Sequence, residues 1–373
     1  MSKRVVGVLA LLCAFAAIAA PSAAPAPHML VGILDESNTL YGNPDKTFPI
    51  LSKLRLQVLR LNLYWNRVAK SRPSDATDPS DPAYDWAAYD RTAQYANQYK
   101  IKLLLTIWGT PHWENGKTPR YAPKNPADLQ KFAEAAATRY SGTYIGDDGR
   151  TLPAVRYWTA WNEPNEVFQL YPQYKKVGGT YVIQSAIDYV KICNAIYTGV
   201  HSTMLSGEKV ACGVTAPRGN NIATGARGSP DPLAFMRAVK KAGLKKFDAW
   251  AHHPYYNKPS ETPTSTGGSR SIELGNIGKL ITQLTQLWGP KRVWLTEYAW
   301  QTNPPDKLQG VSWAKQAAYL KQAFAIARAN TRIDMLVWFL LKDEPVLSGW
   351  QSGLMTASGT KKPAFTVFMN LPH

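Results

Sequence analysis

Short runs rich in Val, Ile, Leu, Tyr and Trp recur along the chain, each followed by a longer stretch whose apolar residues return every three or four positions. The runs fall at 29–34, 58–64, 102–108, 155–161, 209–215, 247–252, 292–298 and 333–339. Their length and β-branched or aromatic content predict strands. The amphipathic stretches predict helices near 46–54, 85–98, 126–140, 179–203, 231–242, 272–288, 312–329 and 361–369. A strand that is apolar on both faces belongs in a parallel sheet covered by helices. Eight strand-helix units in one chain therefore predict a single-domain (β/α)8 barrel, an architecture that needs roughly 250 residues. An open doubly wound sheet is the alternative, but no glycine-rich phosphate loop follows the first strand. The surplus length lies in loops after strands, such as 65–84 and 254–271, which open on the C-terminal face where barrel active sites sit.

The first twenty residues stand apart from this alternation. Lys3 and Arg4 precede an apolar run over 5–20, and Ala17-Ile18-Ala19 fits small-x-small cleavage. This reads as a signal peptide cut between 19 and 26, followed by a catalytic domain over 28–373. With no other long apolar run, the mature chain is expected to be secreted and to carry no membrane span. Its remaining cysteines are Cys193 and Cys212; export permits a disulfide between them, and two buried thiols are the other option.

Composition changes the picture in two places. The 373 residues hold 43 Lys and Arg against 26 Asp and Glu, a formal charge of +17. Many of the basic residues sit just before predicted strands: Lys53, Arg55, Lys100, Lys102, Lys209, Lys245, Lys246, Lys291, Arg292 and Arg332. A barrel places them on its N-terminal face. They form either a solvated face or an attachment surface for an anionic cell-wall polymer. Their spread and the lack of a binding module argue against nucleic acid. The 13 Trp are the second anomaly. Trp65, Trp108, Trp113, Trp161, Trp300 and Trp338 all fall at or just past predicted strand ends, a pattern suited to a groove that stacks on the apolar faces of sugars.

Two carboxylates end apolar strands. The segment Tyr157-Trp158-Thr159-Ala160-Trp161-Asn162-Glu163-Pro164-Asn165 places Glu163 at the end of the fourth strand, and Val293-Trp294-Leu295-Thr296-Glu297-Tyr298 places Glu297 at the end of the seventh. Two Glu on one rim suit glycosidic bond cleavage, which needs a proton donor at the leaving oxygen and a carboxylate at the anomeric carbon.

The Trp-Asn-Glu-Pro-Asn segment after strand four, together with Glu297 after strand seven, resembles the clan of retaining glycoside hydrolases built on (β/α)8 barrels. It is most similar to family 39 and family 5-like enzymes. The resemblance implies Glu163 as acid/base and Glu297 as nucleophile, with pKa values pushed apart. It implies that Asn162 meets the sugar 2-hydroxyl, that Arg60 on strand two pairs with the nucleophile, and that Tyr255 orients it. His253 is assigned to the site, with His252 taking its place if the register slips by one. Trp338 is expected to floor the subsite at the cleaved bond, with Trp108 and Trp300 beside it and His112 reaching a hydroxyl. Asp35, Glu36, Asp343 and Glu344 are expected to be subsite hydrogen-bonders or solvated loop residues, and Glu166 is set aside because a strand end aims few side chains at the axis. No cofactor and no metal are expected; His252 and His253 lack a partner ligand at metal spacing. The expected substrate is a poly- or oligosaccharide. A transglycosylase using the same site, and a non-catalytic barrel that binds polysaccharide or an anionic polymer, are the alternatives.

Overall fold

The structure, a computed structural model, describes residues 29–372. The expected signal peptide therefore lies outside the described residues. Ten strands are present among the described residues: β1 (Leu30–Leu34), β2 (Val58–Tyr64), β3 (Lys102–Trp108), β4 (Tyr157–Ala160), β5 (Tyr174–Val177), β6 (Thr180–Ile183), β7 (Lys209–Thr215), β8 (Ala249–His252), β9 (Arg292–Tyr298) and β10 (Ile333–Phe339). Eight of them close into a parallel barrel in the order β1-β10-β9-β8-β7-β4-β3-β2. The remaining pair, β5 and β6, forms an antiparallel hairpin. The molecule is a (β/α)8 barrel.

The outer layer holds α1 (Pro44–Lys53), α2 (Trp65–Val68), α3 (Ala87–Gln98), α4 (His112–Asn115), α5 (Pro126–Arg139), α6 (Gln184–His201), α7 (Pro232–Lys241), α8 (Ile277–Trp288), α9 (Trp313–Ala329) and α10 (Pro363–Met369). Three of these start with the same local chemistry. Asn43, Asn125 and Asp231 each accept a hydrogen bond from a first-turn N–H, and each is followed by proline, which has no N–H to leave unpaired. Among the described residues, no helix is long and apolar enough to cross a membrane.

Side-chain alternation divides the core in two. Inward positions, including Val58, Leu104, Ala211, Trp294, Met335 and Val337, fill the barrel, while the larger cluster packs between strands and helices. Gly32 on β1 faces Val58 and Val337 so closely that an added Cβ would lie 2.8 and 2.9 Å from their methyls. Cys193 on α6 and Cys212 on β7 are joined by a disulfide, with their Cα atoms 6.1 Å apart. The basic residues ahead of the strands are exposed at Lys53, Arg55, Lys100, Lys102, Lys209, Lys245 and Lys246; Arg292 instead pairs with Asp334.

The observed elements depart from expectation at a few places. The helix predicted over 179–203 starts late, because Thr180–Ile183 pairs with Tyr174–Val177 around Gly178-Gly179, both at positive φ. Two glycines between extended segments suit such a turn. The strands predicted over 155–161 and 247–252 shorten to Tyr157–Ala160 and Ala249–His252. The stretch at 272–288 opens with a 3-10 turn, Leu274–Asn276, before α8.

Candidate active site

Arg60 organises the C-terminal rim. It lies on an inward position of β2 and is fully buried. Its Nε donates to Thr106 Oγ1 at 3.1 Å, and its Nη2 donates to Asn162 Oδ1 at 2.7 Å. Its Nη1 donates to Glu297 Oε2 and to the Thr296 carbonyl, both at 2.9 Å. The same Nη1 lies 3.2 Å from His253 Nε2. A guanidinium accepts nothing, so His253 Nε2 must be the acceptor. Burial drives the His253 pKa down to about 3, so the ring is neutral and its one proton sits on Nδ1. That Nδ1–H donates to Glu163 Oε1 at 2.9 Å and lies 3.8 Å from Glu297 Oε2. Tyr255 completes the set, its hydroxyl donating to Glu297 Oε1 at 2.9 Å.

Backbone irregularities aim these groups. Between Leu336↔Leu295 and Trp338↔Tyr298, β9 carries one residue more than β10. This bulge falls at Thr296-Glu297, and both side chains reach the site: Thr296 Oγ1 to His253 Nε2 at 3.0 Å, Glu297 to Arg60 and Tyr255. Glu163 has φ +41° and Trp161 φ +67°, strained values for side chains of this size. The Glu163 N–H is held by the carbonyl of Val214, itself at φ +45°. Asn165 locks the turn: its Oδ1 accepts from Ala216 N at 2.8 Å and its Nδ2 reaches the Pro230 carbonyl at 3.3 Å.

The two carboxyls sit in different surroundings. Glu297 receives hydrogen bonds from a buried guanidinium and a phenol. Glu163 receives one from a neutral imidazole, and burial pushes its pKa up to about 7 against the opposing pull of Arg60 and Arg218. A group that holds its proton near neutrality beside one tied to a permanent cation is an arrangement for transferring a proton across a bond attacked from the other side. Asn162 has its oxygen fixed by Arg60, which turns its amide N–H groups away from the guanidinium.

A cleft of about 410 Å³ opens over Glu163 and Glu297. Glu166, Arg218, Tyr255, Tyr256, Gln301 and Trp350 help to line it. Thus the structure brings Glu163, Glu297, Asn162, Arg60, His253 and Tyr255 together. It settles the strand register in favour of His253, because His252 points away, bonded to Thr215 Oγ1 and the Ile272 carbonyl.

Other expectations fail. Trp338 is fully buried: Met335 and Val337 take the inward positions of β10, so Trp338 faces the helices and donates to the Ser352 carbonyl. Trp300 is also buried, stacked 3.7 Å from Tyr256, and supports that residue instead of lining the cleft. Trp65 and Trp161 are buried as well. Trp108 is half-buried, edge-on to Tyr64, and outside the cleft lining. His112 is exposed at the start of α4 and also lies outside it. Asp35 and Asp343 are neither solvated nor in the cleft. Asp35 accepts the N–H groups of Leu341 and Lys342, and Asp343 pairs with buried Lys362. Glu166 does reach the cleft, because the chain turns after Pro164 and is no longer bound to strand alternation. Arg218 and Trp350 were also missed. The signal for Arg218 was its place three residues beyond the end of β7, on the rim.

Residues 225–368 match the family described as glycosyl hydrolase catalytic core. That segment includes His253, Tyr255 and Glu297, and it begins after Asn162-Glu163. No curated protein matches the chain. Among solved structures, a family 39 glycoside hydrolase from Bacteroides cellulosilyticus WH2 is similar at 18% identity and TM-score 0.62, over 91% of this chain and 62% of that one. A family 39 β-xylosidase from Caulobacter crescentus aligns at 17% identity and TM-score 0.58, over 94% and 72%. Fungal β-1,4-galactanases align at 14% identity and TM-score 0.59, over 92% and 100%. The barrel shares the fold of these solved structures, and the matched segment is that of a glycosyl hydrolase catalytic core. This chain spans less than two thirds of the Bacteroides enzyme's length.

Proposed function

We propose that the protein is a secreted, retaining glycoside hydrolase that cleaves O-glycosidic bonds of a poly- or oligosaccharide by double displacement. The observation that carries this reading is the shared imidazole. His253 Nδ1 lies 2.9 Å from Glu163 Oε1 and 3.8 Å from Glu297 Oε2, so those oxygens are at most about 6.7 Å apart. Carboxyls this close to one ring nitrogen support the shorter spacing of retaining enzymes over most of the wider range that admits a water for inversion.

In the first step a Glu297 oxygen attacks the anomeric carbon. The bond to the leaving oxygen breaks, and that oxygen takes the proton of Glu163. His253 occupies Glu163 Oε1, which leaves Oε2 to carry the proton. Arg60 and Tyr255 hold Glu297 in place, and the free N–H of Asn162 is positioned to meet a hydroxyl beside the reacting carbon. In the second step Glu163, now ionised, takes a proton from water. The water oxygen bonds to the anomeric carbon and the ester to Glu297 breaks, restoring both carboxyls. Secretion is supported by the leader-like residues 1–20 and by the disulfide, which persists in oxidising compartments.

The test is sugar release from a panel of polysaccharides and aryl β-glycosides by the wild type, Glu163→Gln and Glu297→Gln. Loss of release by at least about 100-fold in both variants is expected. Release unchanged in either one removes that residue from the mechanism.

A further inference from the structure

The cleft contains a second arginine that is hydrogen-bonded to none of its carboxylates, although its charge is felt at Glu163. Arg60 is bound to Glu297, but among the described residues no carboxylate pairs with Arg218. Its two hydrogen-bond partners among the described residues are neutral: Nη1 donates to Asn257 Oδ1 at 2.8 Å and Nη2 to the Tyr256 carbonyl at 2.6 Å. Its Nε is shielded from solvent and has no partner. A guanidinium has five N–H donors, so three remain uncommitted on a side chain that lines the cleft.

The arginine is also held rigidly. Its backbone pairs with Ser271, and its carbonyl lies 3.5 Å from Asn165 Nδ2, in the same turn that carries Glu163. A cation fixed in advance at a binding surface loses little freedom on meeting its ligand. The neighbouring acids do not cancel it as a bound carboxylate would. Glu163, Glu166 and Glu273 all feel its charge, and burial pushes all three up to about 7, so below neutrality they are largely uncharged. The remaining cleft acid, Glu297, is matched by Arg60. The whole chain adds a field of the same sign, with a formal charge of +17.

We propose that Arg218 is a specificity-determining residue that binds a carboxylate on the sugar chain, so that the substrate is a uronic-acid-containing polysaccharide. This rests on the glycoside hydrolase reading above and narrows its substrate class. Planar guanidinium donors match a carboxylate in a two-bond fork, and Nη1 and Nη2 of Arg218 each keep one uncommitted N–H for it. A neutral sugar at the same place leaves the cation desolvated and unpaired, which makes the arrangement selective in both directions.

The experiment compares uronate polysaccharides with the same polymers after reduction of their carboxyls to primary alcohols. Ring stereochemistry and linkages are then unchanged, and each uronate becomes the matching neutral hexose. Cleavage is measured for the wild type, Arg218→Gln and Arg218→Lys, and gel retardation by each polymer is measured in parallel with Glu297→Gln and its double variant with Arg218→Gln. The wild type is expected to prefer a uronate polymer over its reduced form by about 10- to 100-fold in kcat/KM, the range for a hydrogen-bonded charge. Arg218→Gln should bring that ratio close to one, Arg218→Lys should keep part of it, and added salt should shrink it. Equal cleavage of both forms by the wild type overturns the proposal, as does a ratio that survives Arg218→Gln. Because the first of these needs no variant, misfolding of Arg218→Gln cannot shield the idea. If the wild type cuts no polymer, the hydrolase reading fails. Retardation then decides: uronate-selective binding that disappears with Arg218→Gln upholds the anion site, and its absence overturns it.

Discussion

Glu163→Gln should do two opposite things to this protein. It should remove the proton donor, lowering kcat by about 10²- to 10⁴-fold. It should also make the barrel more stable at alkaline pH. The Glu163 pKa rises from the ordinary 4.5 to about 7 because the carboxyl is buried. Between those values the native state keeps a proton that the unfolded chain has released. The wild type therefore loses stability as the pH climbs through that window, and the loss is complete above the folded value. The displacement from 4.5 to about 7 corresponds to an upper limit of about 3 kcal/mol. The side chain keeps 20% of its exposure, so the realised value lies below that limit. At roughly 2 °C per kcal/mol for a domain of this size, the ceiling is about 6 °C in Tm. The variant has no carboxyl to ionise. Glu166 titrates in the same direction in both proteins and largely cancels from the difference. The assay is thermal unfolding by circular dichroism at pH 5, 6, 7 and 8. The Tm of Glu163→Gln minus that of the wild type should grow from pH 5 and level off above about pH 7. Parallel curves across that range would refute the claim that burial holds the proton on Glu163. The measurement needs no substrate, so it tests the site's electrostatics before the sugar is known.

Arg60→Lys should lower kcat/KM by about 10²- to 10³-fold, mostly in kcat, because an ammonium has three donors for the five partners of Arg60 and leaves buried acceptors unpaired; steady-state kinetics and Tm together check it. Trp338→Ala should cost about 3–5 kcal/mol in urea unfolding, as expected for a fully buried Trp. Trp350→Ala, at a residue 39% exposed on the cleft, should leave the Tm within about 2 °C and weaken polysaccharide binding several-fold. Reducing the Cys193–Cys212 bond, which closes a loop 19 residues apart in sequence, should lower stability by about 3 kcal/mol, read as a fall in Tm with dithiothreitol.

The strands were the most legible part of the sequence, and for a specific reason. A parallel strand inside a barrel is apolar on both faces, so β2, β3, β7, β9 and β10 stand out as largely apolar runs with the observed limits. The same property hid which face each residue takes. Trp338 and Phe339 are adjacent and equally apolar, and only pairing with β1 and β9 determines that Trp338 turns outward. Polar groups were easier to place. An Arg at position 60 inside an apolar run has to face something charged, and Glu297 and Asn162 are what it meets. Residues beyond strand ends followed no period, so Glu166, Arg218 and Trp350 emerged only with the loops in place. Strand β6 falls inside the helix predicted over 179–203 because Tyr181, Val182 and Ile183 continue the apolar pattern of α6, and β5 has no predicted counterpart. The Gly178-Gly179 pair was the signal for its turn.

The barrel closes by pairing its first strand with its last. The Asp35 carboxyl, just after β1, accepts the N–H groups of Leu341 and Lys342, more than 300 positions later in the chain. During synthesis β1 has one of its two neighbours early and waits for the other until nearly the whole polypeptide exists. Contacts of such long sequence separation make for slow folding. Glu163 and Glu297 reach each other only across this ring, through Arg60 and His253. A nascent chain that has already made Glu163 and Glu297, but has not yet made β10, thus holds every group of the proposed site inside a ring that is still open. Competence arrives in one event, when the ring shuts.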